Sequence, residues 1–216
     1  MNSEIKIISL DLDGVLYDGS SAAFELACQI GLKDQYLEVL QRIEQEKMDL
    51  RDTVNAVAKV WKGIPIDATY HYLIKTLPLM AGAEETVASL RSWDYEVGCI
   101  SSGVSQFFLE PLTRRLKLDF AYSHILGAEN DVHDGTVQFI MGGSEKATTI
   151  WQYAQIKGHP IESIASVGNG VNDIDLFKIS SFSIAFNPVD KRVSKAASVT
   201  IESKDLRSIL PHFERD

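Results

Sequence analysis

Residues 5–18 read IKIISLDLDGVLYD. Ile5, Ile7, Ile8 and Leu10 form a short apolar run rich in β-branched residues. It ends in two carboxylates, Asp11 and Asp13, followed by Gly14. An apolar run of this length bounded by Asp and Gly reads as a strand buried in a parallel sheet. In open α/β sheets, ligands gather just outside the carboxyl ends of the strands. Two acids at that place repel each other, and a divalent cation with oxygen ligands relieves the repulsion. Alone, the pattern reads equally well as a strand followed by an Asp-rich turn. The rest of the chain must decide.

Downstream of this strand the periodicity becomes helical. Ala22, Ala23, Leu26, Ala27 and Ile30 recur at helical spacing, with Gly31 as a stop. Leu37, Leu40 and Ile43 mark a second helix, and Leu50, Val54, Val57, Ala58 and Trp61 a third. A fourth carries Tyr70, Leu73, Ile74 and Leu77, with Asp67 placed to cap it. A βαβ crossover needs one helix, not four. Residues 19–78 therefore read as a small helical cap inserted into a core made of 1–18 and 79–216. Gly19 and residues 80–82 are the expected hinges.

The α/β rhythm then resumes. A helix over 83–93 leads to a strand over 95–100, and Ser101, Ser102 and Gly103 follow at that strand's end. Ser105 is placed to cap a helix reaching Lys117, with a kink expected at Pro111. A short strand is expected over 120–125. Asp134-Gly135 reads as a hairpin turn between Val132 and the run 136–141. A helix begins near Ser144 and carries Lys146 in its first turn. The strand 164–167 ends in GNGVND, residues 168–173. A helix over 173–179, strands over 182–186 and 199–201 and a closing helix over 204–213 complete the chain.

The 216 residues carry a net charge of -9, which disfavours the phosphate backbone of nucleic acids and anionic membrane surfaces. It does not disfavour a small phosphorylated ligand, because a bound cation inverts the local field. No apolar run approaches membrane-spanning length. The start, MNSEIKI, lacks a signal-peptide core. Cys28 and Cys99 lie far apart and outside any CxxC pair, as expected of reduced core thiols in a cytoplasmic protein. The five histidines show no metal-ligand spacing and read as surface or hydrogen-bonding residues.

Three strand ends carry polar groups: Asp11 and Asp13; Ser101 and Ser102; Asn169, Asn172 and Asp173. In a parallel sheet these ends converge on one crevice, and Lys146 enters close by. That set suits phosphoryl transfer. A carboxylate can attack phosphorus to give an aspartyl phosphate, and Mg²⁺ screens the two anions from each other. A hydroxyl, the N–H groups near Gly103 and an ammonium can grip the equatorial oxygens.

DLDGVL, ISSG, SEKATT and VGNGVNDIDLF, in this order and with a helical insert after the first, resemble the four motifs of the haloacid dehalogenase (HAD) superfamily, and more narrowly its phosphoserine phosphatase-like branch. The resemblance spans essentially the whole chain. It implies a HAD-type Rossmann-like α/β core with a helical cap, and a phosphomonoester hydrolase using Mg²⁺. Asp11 would be the nucleophile and Asp13 the acid/base, its backbone carbonyl also on the metal. Ser101 and Lys146 would complete the catalytic set. Ser101, Ser102, Gly103, Lys146 and Asn172 would bind the phosphoryl group, and Asp11, Asp13, Asn169 and Asp173 would hold the metal.

Two departures stand out. The resemblance places an acid where this chain has Asn169, which keeps an oxygen donor but brings no charge. A catalytically weak or inactive homologue that binds a phosphorylated ligand or partner is therefore the alternative expectation. The resemblance also implies a Glu and a cap Arg that read the charges of serine. Those positions fall on Ser20 and near Val57, and neither carries a charge. Phosphoserine is accordingly expected to be a poor substrate, and the substrate a different small phosphorylated metabolite.

Overall fold

In the computed structural model, which describes residues 5–66 and 68–214, the opening apolar run forms β1 (Ile7–Leu10), fully buried along its length. Removing side chains such as Ile7, Ile8 and Leu10 from water contributes about 1.5–3 kcal/mol each. β1 lies inside a sheet with β2 (Glu96–Ser105), β3 (Phe120–Glu129), β4 (Val132–Phe139), β5 (Ile164–Gly168), β6 (Phe182–Phe186) and β7 (Val199–Ile201). The order is β4-β3-β2-β1-β5-β6-β7. All pairings are parallel except β3 with β4. From β1 the chain builds outward through β2 and β3, then returns to place β5 on the other side of β1. The strand order reverses there, and a crevice opens beyond Leu10 and Gly168.

Four helices follow β1: α1 (Ala22–Gln29), α2 (Lys33–Glu46), α3 (Leu50–Val60) and α4 (Ala68–Thr76). The Ser21 Oγ accepts the Phe24 N–H at 3.2 Å and starts α1. The Asp49 Oδ1 accepts the Asp52 N–H at 2.9 Å and starts α3. Each satisfies a donor that the first helical turn leaves unpaired. The cap expected at Asp67 lies outside the described residues. Tyr70, Leu73, Ile74 and Leu77 are buried, as their spacing requires. The segments that lead into and out of these helices pair with each other. The Asp18 N–H donates to the Pro78 carbonyl at 3.0 Å, and the Met80 N–H to that of Leu16 at 2.9 Å.

Alternation along the strands divides the core in two. Ile8, Leu10, Val97, Cys99 and Val167 face the layer holding α5 (Ala83–Ser92) and α6 (Gln106–Leu116). Ile7, Ile100 and Ile164 face α7 (Gly143–Ile156) and α8 (Ile174–Ile179). A slip of one residue would exchange these sets, so burial on both faces fixes the register. Cys28 and Cys99 are both free thiols; Cys99 is fully buried and Cys28 half-buried. Among the described residues no helix is long and apolar enough to cross a membrane.

Several elements differ from the sequence expectation. β2 continues through Ser101, Ser102 and Gly103 to Ser105, with a register shift against β3 between Ile100 and Ser105. Ser105 occupies the position before α6 but makes no side-chain cap, and Pro111 is accommodated inside that helix. β3 is longer than expected, and the hairpin turns at Asn130-Asp131, both left-handed at φ 52° and 61°. Asp134-Gly135 sits within β4 instead. Leu126 pairs with Val137 and Ala128 with His133, so the dipeptide bulges out of the ladder. Gly135 supplies the left-handed residue of that bulge at φ 85°. α9 (Lys191–Ala196) escaped the periodicity because only Val193 is buried in it. The closing segment is a 3-10 helix, Leu206–His212, with Pro211 inside it.

The turn geometry yields a prediction. Paired left-handed residues in a two-residue hairpin favour Asn-Gly. Asp131→Gly is therefore expected to raise stability by about 0.5–1 kcal/mol, since the side chain disfavours that conformation. Urea unfolding measures it, and an unchanged or lower midpoint counts against this account of the turn.

Candidate active site

Asp11 is the first residue beyond β1 and is buried at 5% exposure. Its N–H donates to the Val167 carbonyl at 2.9 Å, which holds it between β1 and β5. The chain then turns sharply: the Gly14 N–H donates to Tyr17 O at 3.0 Å, and the Tyr17 N–H to Leu12 O at 2.8 Å. Gly14 is left-handed at φ 75°, and a Cβ there would stand 2.0 Å from the Asn169 Nδ2. Only glycine meets both constraints. Asp13 is half-buried, and its Oδ1 accepts the Ala22 N–H at 2.6 Å from the first turn of α1. Its Oδ2 approaches Gly103 so closely that a Cβ on Gly103 would lie 2.1 Å away. The first and second motifs thus touch.

Lys146 projects from the first turn of α7 and is fully buried. Its Nζ donates to the Asp11 Oδ1 and to the Asp173 Oδ1, each at 2.7 Å. Asp173 is fully buried, and its Oδ2 accepts the N–H groups of Asn169 and Gly170, both at 3.0 Å. Asp173, expected among the metal ligands, therefore has both oxygens engaged in orienting Lys146 and shaping the 169–173 turn. Asn169 stands against Gly14, and the Oδ1 of Asn172 packs against Gly170. Ser101 is fully buried, and its Oγ accepts the Gly103 N–H at 3.0 Å. The Ser102 Oγ is buried without a hydrogen-bond partner among the described residues.

Three carboxylates, Asp11, Asp13 and Asp173, surround one ammonium. Burial works against the charge on Lys146, but the two carboxylates it bridges outweigh that and raise its pKa above the usual lysine range. Burial, reinforced by the charge of Asp173, pushes the Asp11 carboxyl up against the pull of Lys146. Burial pushes Asp13 up to about 6, against the Ala22 N–H and the Lys146 charge, which both favour its ionised form. An acid raised in this way can hold and release a proton near neutral pH.

Among the described residues no group of three or more carboxylate, imidazole or thiol side chains could hold a metal ion. The ligands that the resemblance implies are of another kind: an Asp11 carboxylate oxygen, the Asn169 side-chain oxygen and the Asp13 backbone carbonyl. This hard, all-oxygen set with one carboxylate suits Mg²⁺, which keeps several waters and takes further ligands from phosphate.

Two contributors were not anticipated. His124, on β3, donates from Nε2 to the Ser102 carbonyl at 2.7 Å and accepts the Met141 N–H on Nδ1 at 2.9 Å. It ties the end of β2 to the segment leading into α7 and is held neutral, with burial lowering its pKa. A lone histidine in a strand carries no sequence signal for such a bridge. The second is a cavity of about 260 Å³ between α1–α3 and the ends of β2 and α6, reached from Asp13 and Gly103.

A family model of haloacid dehalogenase-like hydrolases matches residues 109–211. A phosphoserine phosphatase of Methanocaldococcus jannaschii is 27% identical over 99% of this chain and 100% of its own. One of Archaeoglobus fulgidus is 29% identical over 86% of this chain and 54% of its own. The structure of a phospho-aspartyl intermediate analogue of phosphoserine phosphatase superposes with a TM-score of 0.81 at 26% identity, covering 98% of this chain and 100% of that one. A substrate-bound phosphoserine phosphatase complex gives 0.81 at 25% identity, with 98% and 100% covered. The motif residues are gathered in one crevice of a fold shared with these phosphatases, and the chain is similar to haloacid dehalogenase-like hydrolases over residues 109–211 and to phosphoserine phosphatases over nearly its whole length.

Proposed function

We propose that this protein is a Mg²⁺-dependent phosphomonoester hydrolase that works through an aspartyl phosphate on a small metabolite other than phosphoserine. The observation that carries this reading is the buried Asp11 carboxylate, held 2.7 Å from Lys146 beside Ser101 and Gly103. In the first step an Asp11 oxygen bonds to phosphorus, the ester P–O bond breaks, and Asp13 gives its proton to the departing oxygen. In the second, Asp13 takes a proton from water, whose oxygen attacks phosphorus and releases Asp11 and inorganic phosphate. Asp13 suits both steps because its pKa lies near 6. Lys146 and the hydroxyl of Ser101 would hold the phosphoryl oxygens, with the N–H groups near Gly103. Asp173 would position Lys146, and Asn172 would stand at the edge of the phosphoryl site.

Asp11, Asn169 and the Asp13 carbonyl would hold Mg²⁺, which when bound offsets the repulsion between nucleophile and phosphate. Residues 19–78 would act as a cap, with the paired segments around residues 16–18 and 78–80 as its attachment. The reading that phosphoserine is a poor substrate draws support from the cavity, where Asp13 is the one charged side chain among the described residues. Among the described residues no cation lines the cavity to pair with the carboxylate of serine.

Hydrolysis of p-nitrophenyl phosphate tests the proposal. Chelation is expected to suppress turnover roughly a hundredfold or more, with Mg²⁺ restoring it. Asn169→Asp adds a negative ligand and is expected to lower the Mg²⁺ concentration for half-activity by about tenfold. The Mg²⁺-dependent rise in Tm should shift in parallel. A second reading, a homologue that binds a phosphorylated ligand with little turnover, rests on the uncharged Asn169. It prevails if the wild type is inert in Mg²⁺ and Asn169→Asp restores activity.

A further inference from the structure

The cavity beside Asp13 has a broad apolar wall, with Ser20, Ser21, Thr53, Ser102 and Ser105 also on its lining. Leu26 of α1, Tyr36 of α2, Val54, Val57 and Trp61 in and just after α3, and Phe108 of α6 face a space of about 260 Å³. Several polar tips near it already have partners, whereas the Ser102 Oγ, at the Asp13 end, has none among the described residues. The Tyr36 hydroxyl is bonded to Ser21, and that of Tyr70 to Ser105 and to His133. His124 is held neutral by its bonds to Ser102 and Met141. Among the described residues, no lysine, arginine or glutamate lines the space, and Asp13 marks one end of it. Burying an ammonium or carboxylate there without a partner carries a large desolvation penalty.

Size narrows the class further. An apolar cavity of about 150 Å³ takes up benzene. The space here is larger, so a six-membered ring with a short linker fits. The aromatic side chains do not form an open cage for a quaternary ammonium. Trp61 meets Tyr36 edge to face at 6.2 Å, and Tyr70 stacks on Phe107 at 6.5 Å, so the rings lean on one another instead of standing as an open box. A cation–π site needs a free ring face.

We infer that the alcohol esterified to phosphate in this protein's substrate is uncharged and apolar, of the size of a substituted six-membered ring, and that this cavity receives it. The inference rests on the proposed phosphatase reading for placing the phosphoryl group at the Asp13 end.

Non-hydrolysable phosphonates separate the two claims, because their binding requires no turnover. Calorimetry on the wild-type protein in Mg²⁺ would compare benzylphosphonate, aminomethylphosphonate, 3-phosphonopropionate and 2-(trimethylammonio)ethylphosphonate. Benzylphosphonate is expected to bind about tenfold or more tightly than each of the others, the gain from burying several carbons. Equal or tighter binding of any charged analogue overturns the inference. Turnover is then measured on benzyl phosphate and phosphoserine. Selective binding without turnover sinks the phosphatase reading and leaves the cavity assignment standing, whereas turnover without selectivity does the reverse. Val57→Arg, at a half-buried position in the wall, should shift relative affinity toward 3-phosphonopropionate. Unchanged selectivity in a folded Val57→Arg protein would also overturn the assignment.

Discussion

Asp11→Asn is expected to remove turnover while making the metal-free protein more stable. The amide has nearly the shape of the carboxylate and still offers an oxygen to Lys146 at the observed 2.7 Å. It is too weak a nucleophile to form the acyl phosphate. Removing a nucleophile that acts in concert with a positioned acid typically costs on the order of 10⁴-fold or more in kcat. The stability effect has the opposite sign. Burial and the charge of Asp173 raise the Asp11 carboxyl above its ordinary range. A carboxyl raised in the folded state binds more protons there than in the unfolded chain, so its ionisation weakens the fold as pH rises. A neutral isostere escapes that cost, and a gain of about 1 kcal/mol or more is expected. Steady-state kinetics and urea unfolding in chelator check the two halves. Turnover within tenfold of wild type would falsify the assignment of Asp11 as nucleophile.

Lys146→Met is expected to damage both folding and chemistry. Lys146 and Asp173 have no exposed side-chain surface, and Asp11 has 6%. Methionine fills much of the volume but leaves two carboxylates facing each other without a counter-charge. Removing one partner of a buried ion pair costs about 3–5 kcal/mol. The loss should shrink as pH falls, because Asp11, whose carboxyl is raised in the folded state, recovers its proton there before the unfolded chain does. Combining Lys146→Met with Asp11→Asn should cost less than the sum of the separate effects, since a neutral residue 11 no longer needs the ammonium. Activity should fall by roughly 10²–10³ from loss of a positioned charge at the phosphoryl group. If Lys146→Met unfolds at the wild-type urea concentration at neutral pH, the buried triad does not hold the strand ends as described.

The elements read most directly from sequence are those whose signal is local. β1, β6 and β7 are short runs dominated by apolar residues, and α1 and α3 carry an apolar face and a side-chain cap. Asp11, Ser101 and Lys146 stand out in the sequence as polar residues near strand ends or in the first turn of a helix; the structure joins Lys146 to Asp11 and sets Ser101 on β2, the strand beside β1. Features set by tertiary contacts were not legible. Asp134-Gly135 and Asn130-Asp131 are both good turn formers, and only the pairing partners on β3 decide which one turns and which one bulges. Asp173 reads as an acidic loop residue, yet the N–H groups of its own turn and Lys146 from another helix engage both of its oxygens. The cavity has no sequence signature at all, because its walls come from α1, α2, α3 and α6, each patterned as an ordinary amphipathic helix.

The paired segments at residues 16–18 and 78–80 have a consequence for how such chains change over time. Neighbouring strands lie about 5 Å apart, so nearly sixty residues leave and rejoin the sheet through one narrow doorway. Lengthening or shortening what lies beyond the doorway alters loop entropy only slowly with length. β1, β2 and β5, and with them the Asp11–Lys146–Asp173 cluster, lie outside that stretch of the chain. On the proposed reading, the fold could therefore exchange residues 19–78 as a unit, keeping one phosphoryl chemistry while trading one class of alcohol for another.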